Sequence, residues 1–292
     1  MTDDELAALD RAVEEALASG DASHLHVLGY GEISSVLACE TARGTVAVKR
    51  LPPFPDAARF RAYRALVDDY VAALAARGIT AVATEVRAVE RAGGALVAYH
   101  VQPLLPADRM LPRLLAGLGE AEAAALFERV VASICAFVDA GHGLDAQLSN
   151  WLLDGDRLAY LDLSTPLLRD AAGADRLDRG VFMASLPWLL RPLAARFLLD
   201  DILAKYFDRR GVLLDLLGNL HKERLAHLVA PFLEVIGDRV TPAIDAAEVA
   251  RYYRQDARSW ALLQRLRRLD RAWQRRVRRR PYPFLLPGRI AR

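Results

Sequence analysis

The order of strand-like and helix-like runs is what most restricts this chain. From His24 to Leu51 three short β-like runs are broken at Gly29/Gly31 and at Arg43-Gly44, and two more, Thr84 to Glu90 and Ala95 to Val101, are joined by Ala92-Gly93-Gly94. Glycine-marked breaks between apolar runs are the signature of hairpins. One helical run, Asp56 to Ala76, interrupts these strands, and another, Thr2 to Ala18, precedes them with acidic residues in its first turn, where they favour a helix start. After Gln102-Pro103-Leu104-Leu105-Pro106 the periodicity turns helical, first over Leu111 to Leu118 and then over Gly119 to Ala140, with Gly141 as the C-terminal cap. The pattern predicts an α+β fold: a five-stranded antiparallel sheet with its helices over residues 1–103, then a helical region over 104–292.

Composition agrees with that scale. At 292 residues and 53% apolar content, the chain can bury the core of one large or two modest domains. Cys39 and Cys135 are far apart in apolar patterns and read as small hydrophobes in a reducing compartment rather than a disulfide or metal site. The acidic start Met-Thr-Asp-Asp-Glu-Leu has no apolar segment of the kind a signal peptide needs. The longest apolar run, Val181 to Leu190, contains Pro187 and is too short to cross a bilayer. A cytoplasmic protein is expected.

Two motifs carry chemistry. The first is Leu28-Gly29-Tyr30-Gly31-Glu32-Ile33-Ser34-Ser35-Val36, followed by Thr45-Val46-Ala47-Val48-Lys49. Glycines in such a hairpin let backbone amides approach phosphate oxygens, and a lysine at the end of the next strand can reach nucleotide phosphates. Of the 39 basic residues only Lys49, Lys205 and Lys222 are lysines, so a lysine in Val-Ala-Val-Lys points to a need for a compact ammonium. The second motif is His142-Gly143-Leu144-Asp145-Ala146-Gln147-Leu148-Ser149-Asn150, with Leu161-Asp162-Leu163 following twelve residues after Asn150. An Asp, an Asn five residues on, and a second Asp beyond a strand–turn–strand pattern is how kinase-like enzymes arrange a base and magnesium ligands.

On these motifs the chain resembles the protein kinase-like superfamily, nearer to small-molecule phosphotransferases of the aminoglycoside and choline kinase types than to protein kinases. The resemblance covers roughly Leu25 to Leu168. It implies a two-lobed fold and ATP bound between the lobes, with phosphates under Gly29, Gly31 and Ser34 and against Lys49. Adenine would lie at the backbone of Val101 and Gln102, Asp145 would accept the proton of an acceptor hydroxyl, and Asn150 and Asp162 would hold Mg2+.

The departures are specific. One extra residue stands between His142 and Asp145, Leu-Ser-Thr-Pro follows Asp162 in place of Phe-Gly, and Ser34 replaces a glycine. The Asp56–Ala76 helix has no glutamate, so the partner of Lys49 is expected to be Asp68, nineteen residues on, or its neighbour Asp69. No long activation-type segment and no Ala-Pro-Glu follows Asp162, which favours a small-molecule acceptor over a peptide. Asp170, Asp175, Asp178, Asp200 and Asp201 are interleaved with arginines and fit either an acidic acceptor cleft or a solvated face. Besides an ATP- and Mg2+-dependent phosphotransferase, two readings stand: an inactive pseudokinase that binds nucleotide or a partner, and transfer of AMP from ATP.

The C-terminal stretch has its own chemistry. From Arg251 to Arg292, fourteen arginines against two aspartates give +12, so a chain of net +2 carries −10 before it. Leu262, Leu266, Leu269, Trp273 and Val277 form one apolar stripe on this helix. The first expectation is that the stripe docks on the acidic body. Contact with an anionic membrane surface or partner protein comes second, and nucleic acid comes last, because no recognised motif accompanies the charge. His24 and His26 lie on one strand face without a third metal ligand, and there is no Walker loop, nucleophile elbow or Cys-x-x-Cys.

Overall fold

The computed structural model describes residues 1–30, 34–178, 180, 183, 203–279, 282, 284 and 285. Helix α1 (Asp3–Ser19) opens with Thr2, whose hydroxyl accepts from the Glu5 amide while the Glu5 carboxylate accepts from the Thr2 amide, and it stops at Gly20 with φ 80°. Its buried residues Leu6, Asp10, Val13, Ala16 and Leu17 recur at helical spacing and face the sheet.

The sheet is built from β1 (Val27–Tyr30), β2 (Ser35–Thr41), β3 (Gly44–Phe54), β5 (Glu85–Glu90) and β6 (Leu96–Pro103), in the order β1-β2-β3-β6-β5. All neighbours are antiparallel, as the glycine-marked runs predict. One face packs on α1, where Leu6 meets Val48, Val97, Tyr99 and Val101. The other meets α2 (Ala57–Ala76), capped by Asp56 and buried through Phe60, Tyr63, Leu66, Val67, Tyr70 and Leu74.

The strand–turn–strand pattern expected before Asp162 is found as a hairpin, but its extension into a three-stranded sheet is not visible in the sequence. Short β4 (Thr80–Ala81) pairs in parallel with β8 (Arg157–Tyr160), which forms a hairpin with β7 (Trp151–Asp154). Two residues are too few to leave a periodic signature, yet β4 joins the first region to the second. Helices α3 (Leu111–Gly117) and α4 (Glu120–Phe137) follow the chain out of the first sheet. Three more, α5 (Arg209–Lys222), α6 (Val229–Ile236) and α7 (Ala246–Arg276), complete the described helices. Phe127 of α4 stacks on Phe232 of α6 at 3.7 Å between ring centroids.

A single apolar cluster runs from Leu51, Phe54 and Tyr70 to Phe137, Trp151, Leu216 and Phe232, so α2 and the helical region share one core. The expected apolar run Val181 to Leu190 lies, except for Met183, outside the described residues. Among those described, no helix is long and apolar enough to cross a membrane.

Candidate functional site

The β7–β8 hairpin explains why Asn150 and Asp162 come together. Trp151 pairs with Tyr160 in the ladder, and the Leu161 amide extends it by donating to the Asn150 carbonyl at 2.8 Å. Residues just before β7 and just after β8 are therefore neighbours, although Asn150 and Asp162 stand twelve positions apart in sequence. Asn150 is also locked from within: its Nδ2 donates to the Asp145 carbonyl at 2.9 Å. The Tyr160 hydroxyl donates to that same carbonyl at 3.0 Å. With Nδ2 committed to the backbone, the oxygen of the Asn150 amide is the atom left to meet a cation.

The loop that carries Asp145 is held at each step. The Gly143 amide donates to the Leu167 carbonyl at 2.9 Å, and the Leu144 amide to the Tyr206 carbonyl at 3.0 Å. A Cβ on Gly143 would lie 3.0 Å from Leu167 Cβ and 3.1 Å from the Tyr206 oxygen, so the loop packs too closely there for a side chain. This residue is the insertion noted between His142 and Asp145. His142 turns away from the base: its Nδ1 bonds Asp139 Oδ1 at 2.8 Å and its ring meets Phe137 edge-on. Burial would raise the Asp139 carboxyl, but bonds from His142, Gly141 and Arg77 hold it well below the usual carboxylate range.

Lys49 meets Asp162. Its Nζ lies 2.8 Å from Asp162 Oδ1, an atom that also accepts from the Ser164 amide at 3.0 Å and the Ser164 hydroxyl at 2.7 Å. All three donors converge on Oδ1, and Oδ2 has no donor among the described residues. Burial would push the carboxyl up, but the Lys49 ammonium and the Ser164 donors outweigh it and hold it at about 2. Asp162 is thus ionised at every physiological pH. Asp145 shares its neighbourhood, since the buried phenols of Tyr70 and Tyr160 are pushed far up by burial and by the charges of both aspartates. One carboxylate oxygen and one amide oxygen are hard donors of the kind magnesium takes, and it usually completes its shell with water and substrate phosphate. The residues present therefore fit that ion. Among the described residues there is no cluster of three or more His, Cys, Asp or Glu that would suit another metal.

Several expected residues lie elsewhere. Asp68 does not reach Lys49; it is exposed on α2 and lines an open pocket of about 410 Å³ with Arg64, Ala83, Thr84, Glu85, Val86 and Val101. Asp69 pairs instead with Arg176 at 2.5 Å. The buried stripe of α2 advances through Tyr63, Val67 and Tyr70, which leaves both aspartates on the solvent side. That pocket contains none of Lys49, Asp145, Asn150 and Asp162, so it is not the site they form. Gly29 lies on β1 with nothing within 4 Å of where a Cβ would be, and Ser34 is buried at the foot of β2. Gly31 lies outside the described residues. Val101 pairs with Val48 across the sheet. Gln102 acts through its side chain as well as its backbone, its Nε2 donating to Thr84 Oγ1 at 2.8 Å and to the Leu161 carbonyl at 2.9 Å.

Of the acidic residues considered for an acceptor cleft, Asp175 pairs with Arg169 at 2.9 Å and Asp178 with Arg59 at 3.3 Å. Asp170 accepts from the amides of Ala172 and Ala174. These three serve local structure, and Asp200 and Asp201 fall outside the described residues. Cys39 and Cys135 are unpaired and half-buried, and His24 bonds the Ala12 carbonyl at 3.0 Å.

Sequence reasoning missed Tyr63, His100 and Ser164. The Tyr63 hydroxyl lies 2.8 Å from His100 Nε2 and 3.0 Å from the Ser164 carbonyl, and His100 stands directly opposite Lys49 on the neighbouring strand. Neutral residues in apolar runs gave no signal, although Tyr63 sits in phase with the buried stripe of its helix.

The C-terminal helix reverses its expected orientation. Leu262, Leu269, Trp273 and Val277 are exposed, Leu269 by 67%, while Gln264, Arg267 and Asp270 are buried. The helix begins against the core through Val249 but over this later stretch packs through its polar side, with Leu266 half-buried, and Arg275 donates to the carbonyls of Ala18 and Ser19 at the end of α1. Tyr282 is buried, and Leu285 packs against Val13, Leu17 and Leu37.

Residues 8–271 match a protein family described only as a family of unknown function, DUF6206. No curated protein matches the chain.

Proposed function

We propose that this chain, which belongs to the DUF6206 family, is an ATP- and Mg2+-dependent phosphotransferase of the two-lobed kinase-like type that acts on a hydroxyl of a small molecule. The observation that carries this reading is the Lys49–Asp162 contact at 2.8 Å. It joins residues 113 positions apart, one from the middle of β3, which runs on to Phe54 rather than ending at the lysine, and one just after the β7–β8 hairpin, and so brings together the two motifs that the sequence offers independently. Asn150 and Asp145 stand in the same loop and hold each other through the Asn150 amide.

In this reading Lys49 binds nucleotide phosphate oxygens, with Gly29 and Ser34 on the hairpin above. Asn150 and Asp162 are the residues that would hold magnesium, which when bound neutralises charge on the phosphoryl oxygens. Asp145 orients the acceptor hydroxyl and takes its proton. The acceptor oxygen forms a bond to the γ-phosphorus as the bond to the bridging oxygen breaks, and ADP leaves with that electron pair. Positioning and charge stabilisation do most of the work in such reactions.

One observation favours the scaffold reading as well: Lys49 and Asp162 neutralise each other directly. A thermal shift with Mg-ATP followed by mass spectrometry of the nucleotide products over a panel of small alcohols separates the cases. A shift with ADP formation supports phosphoryl transfer, and pyrophosphate with AMP-modified acceptor supports nucleotidyl transfer. A shift with no product supports a scaffold. No shift with Mg-ATP refutes nucleotide binding altogether. Asp162→Ala is expected to abolish turnover and Ser34→Ala to reduce it less; wild-type turnover in Asp162→Ala would refute the assignment.

A further inference from the structure

We propose that Tyr63 and His100 are positioning residues that tie α2 and β6 to the turn carrying Asp162, an inference that rests on the phosphotransferase reading and extends it. Where the resemblance calls for a helix glutamate paired with Lys49, α2 offers none; it meets the Asp145 loop through Tyr70, whose hydroxyl donates to the Gly143 carbonyl at 3.0 Å, and the Asp162 turn through the hydroxyl of Tyr63. That hydroxyl touches two groups, His100 Nε2 at 2.8 Å and the Ser164 carbonyl at 3.0 Å. Ser164 in turn gives its amide and its hydroxyl to Asp162 Oδ1. The path from helix to metal-side carboxylate is therefore a continuous set of hydrogen bonds, and none of its links to the helix is charged.

One arrangement of protons gives each group a partner. His100 Nε2–H donates to the Tyr63 oxygen, and the Tyr63 hydroxyl donates to the Ser164 carbonyl. The neutral Nε2–H tautomer supplies that proton without placing a second positive charge beside Lys49. Burial, then the adjacent Lys49 ammonium, pushes the ring down to about 3 against a smaller opposing pull from Asp162. A neutral His100 leaves Lys49 without a charged competitor for Asp162. Tyr63, His100 and Ser164 are all nearly inaccessible, His100 at 2% exposure. A phenylalanine would fill the position of Tyr63 as well, so its hydroxyl is explained by what it holds. Removing a buried partner leaves the remaining group unsatisfied, here the Ser164 carbonyl in the turn that aims Asp162.

The consequence is selective. Disturbing the relay loosens the metal side of the site more than the phosphate side, because Tyr63 reaches Ser164 and not Lys49. The test is the Mg2+ dependence of the thermal shift produced by a fixed concentration of ATP. In Tyr63→Phe the Mg2+ concentration giving half the shift is expected to rise about tenfold, as loss of one buried hydrogen bond implies. ATP affinity at saturating Mg2+ stays near that of the wild type. His100→Phe reproduces the effect, and His100→Gln, whose amide nitrogen can replace Nε2, restores most of the wild-type behaviour. Tyr99→Phe is the control: Tyr99 gives its buried hydroxyl to Asp10 on the opposite side of the sheet, and its loss lowers stability without moving the Mg2+ requirement. An unchanged Mg2+ requirement in Tyr63→Phe overturns the proposal and leaves the phosphotransferase reading standing. Equal loss of ATP affinity at saturating Mg2+ also overturns it, by marking Tyr63 as a general packing residue. A wild-type protein with no Mg-ATP shift overturns the reading and the proposal together.

Discussion

Replacing Lys49 with methionine isolates the central ion pair. The Asp162 carboxyl lies at about 2 in the folded chain against an ordinary 3.8, which corresponds to roughly 2 kcal/mol in favour of the folded, ionised form. Because the folded value is depressed, this stabilisation is complete above about pH 5 and fades as pH falls through 3.8 towards 2. Lys49 supplies the largest part that opposes burial; the Ser164 bonds remain after the substitution. Lys49→Met is therefore expected to lose about 2 kcal/mol at pH 7 but only about 1 kcal/mol at pH 3 relative to wild type. Urea unfolding followed by tryptophan fluorescence measures both, since Trp151 lies fully buried in the shared core. The double variant Lys49→Met/Asp162→Asn should recover much of the loss, because an unpaired partly buried charge is worse than none. A difference that does not shrink with falling pH, or a double variant whose losses simply add, would refute the reasoning.

Further outcomes follow from other parts of the structure. Asp145→Asn should keep the Mg-ATP thermal shift while kcat for the acceptor falls about 10²–10⁴-fold, the usual share of a general base. Glu223 has a buried Oε2 with no hydrogen-bond partner among the described residues, and burial pushes its carboxyl up to about 7 against an opposing pull from Lys222 and Ser149. Ionising it in the folded state becomes costly as pH rises from 4.5 to about 7. Glu223→Gln is thus expected to stabilise the protein by about 3 kcal/mol at pH 8 and hardly at all at pH 4, as read by denaturant midpoints. Lys205 gives its ammonium to Asp215 at 2.8 Å and to the Tyr252 hydroxyl at 3.1 Å. Lys205→Met takes the counter-ion from the buried Asp215 carboxylate and leaves it only the neutral donors Tyr252 and Asn219, and calorimetry should record a loss of about 3 kcal/mol.

What the sequence disclosed, and what it hid, divides along physical lines. Strand runs bounded by glycine and helices with sharp caps were legible because local chemistry decides them: Asp56 to Ala76 was expected and Ala57–Ala76 is found. Lys49, Asp145, Asn150 and Asp162 were legible as spacings, and the hairpin register turns the last two into neighbours. The partner of Lys49 was not, because charge alone nominated Asp68, while the phase of the buried residues on α2 turns that position to solvent. Periodicity also found the apolar stripe of α7 without revealing its direction. A helix of that kind can bury either face if the polar side finds partners, and Asp270 accepts from Gln274 at 3.2 Å on the side that is buried. The strand Thr80–Ala81 exists only because β8 is there to pair with it, a long-range cause that leaves no local mark.

The meeting of α1 with distant residues has a consequence for how the protein is made. Val13, Leu17, Leu25, Val27 and Leu37 form a cluster that Leu285 helps to cover, and the end of α1 accepts hydrogen bonds from Arg275. At about 5–20 residues per second on the ribosome, some ten seconds or more separate the emergence of these partners. Helix α1 thus leaves the exit tunnel with an apolar flank that stays uncovered until those residues have been made. During that interval the nascent chain offers a surface to chaperones that the finished molecule has closed.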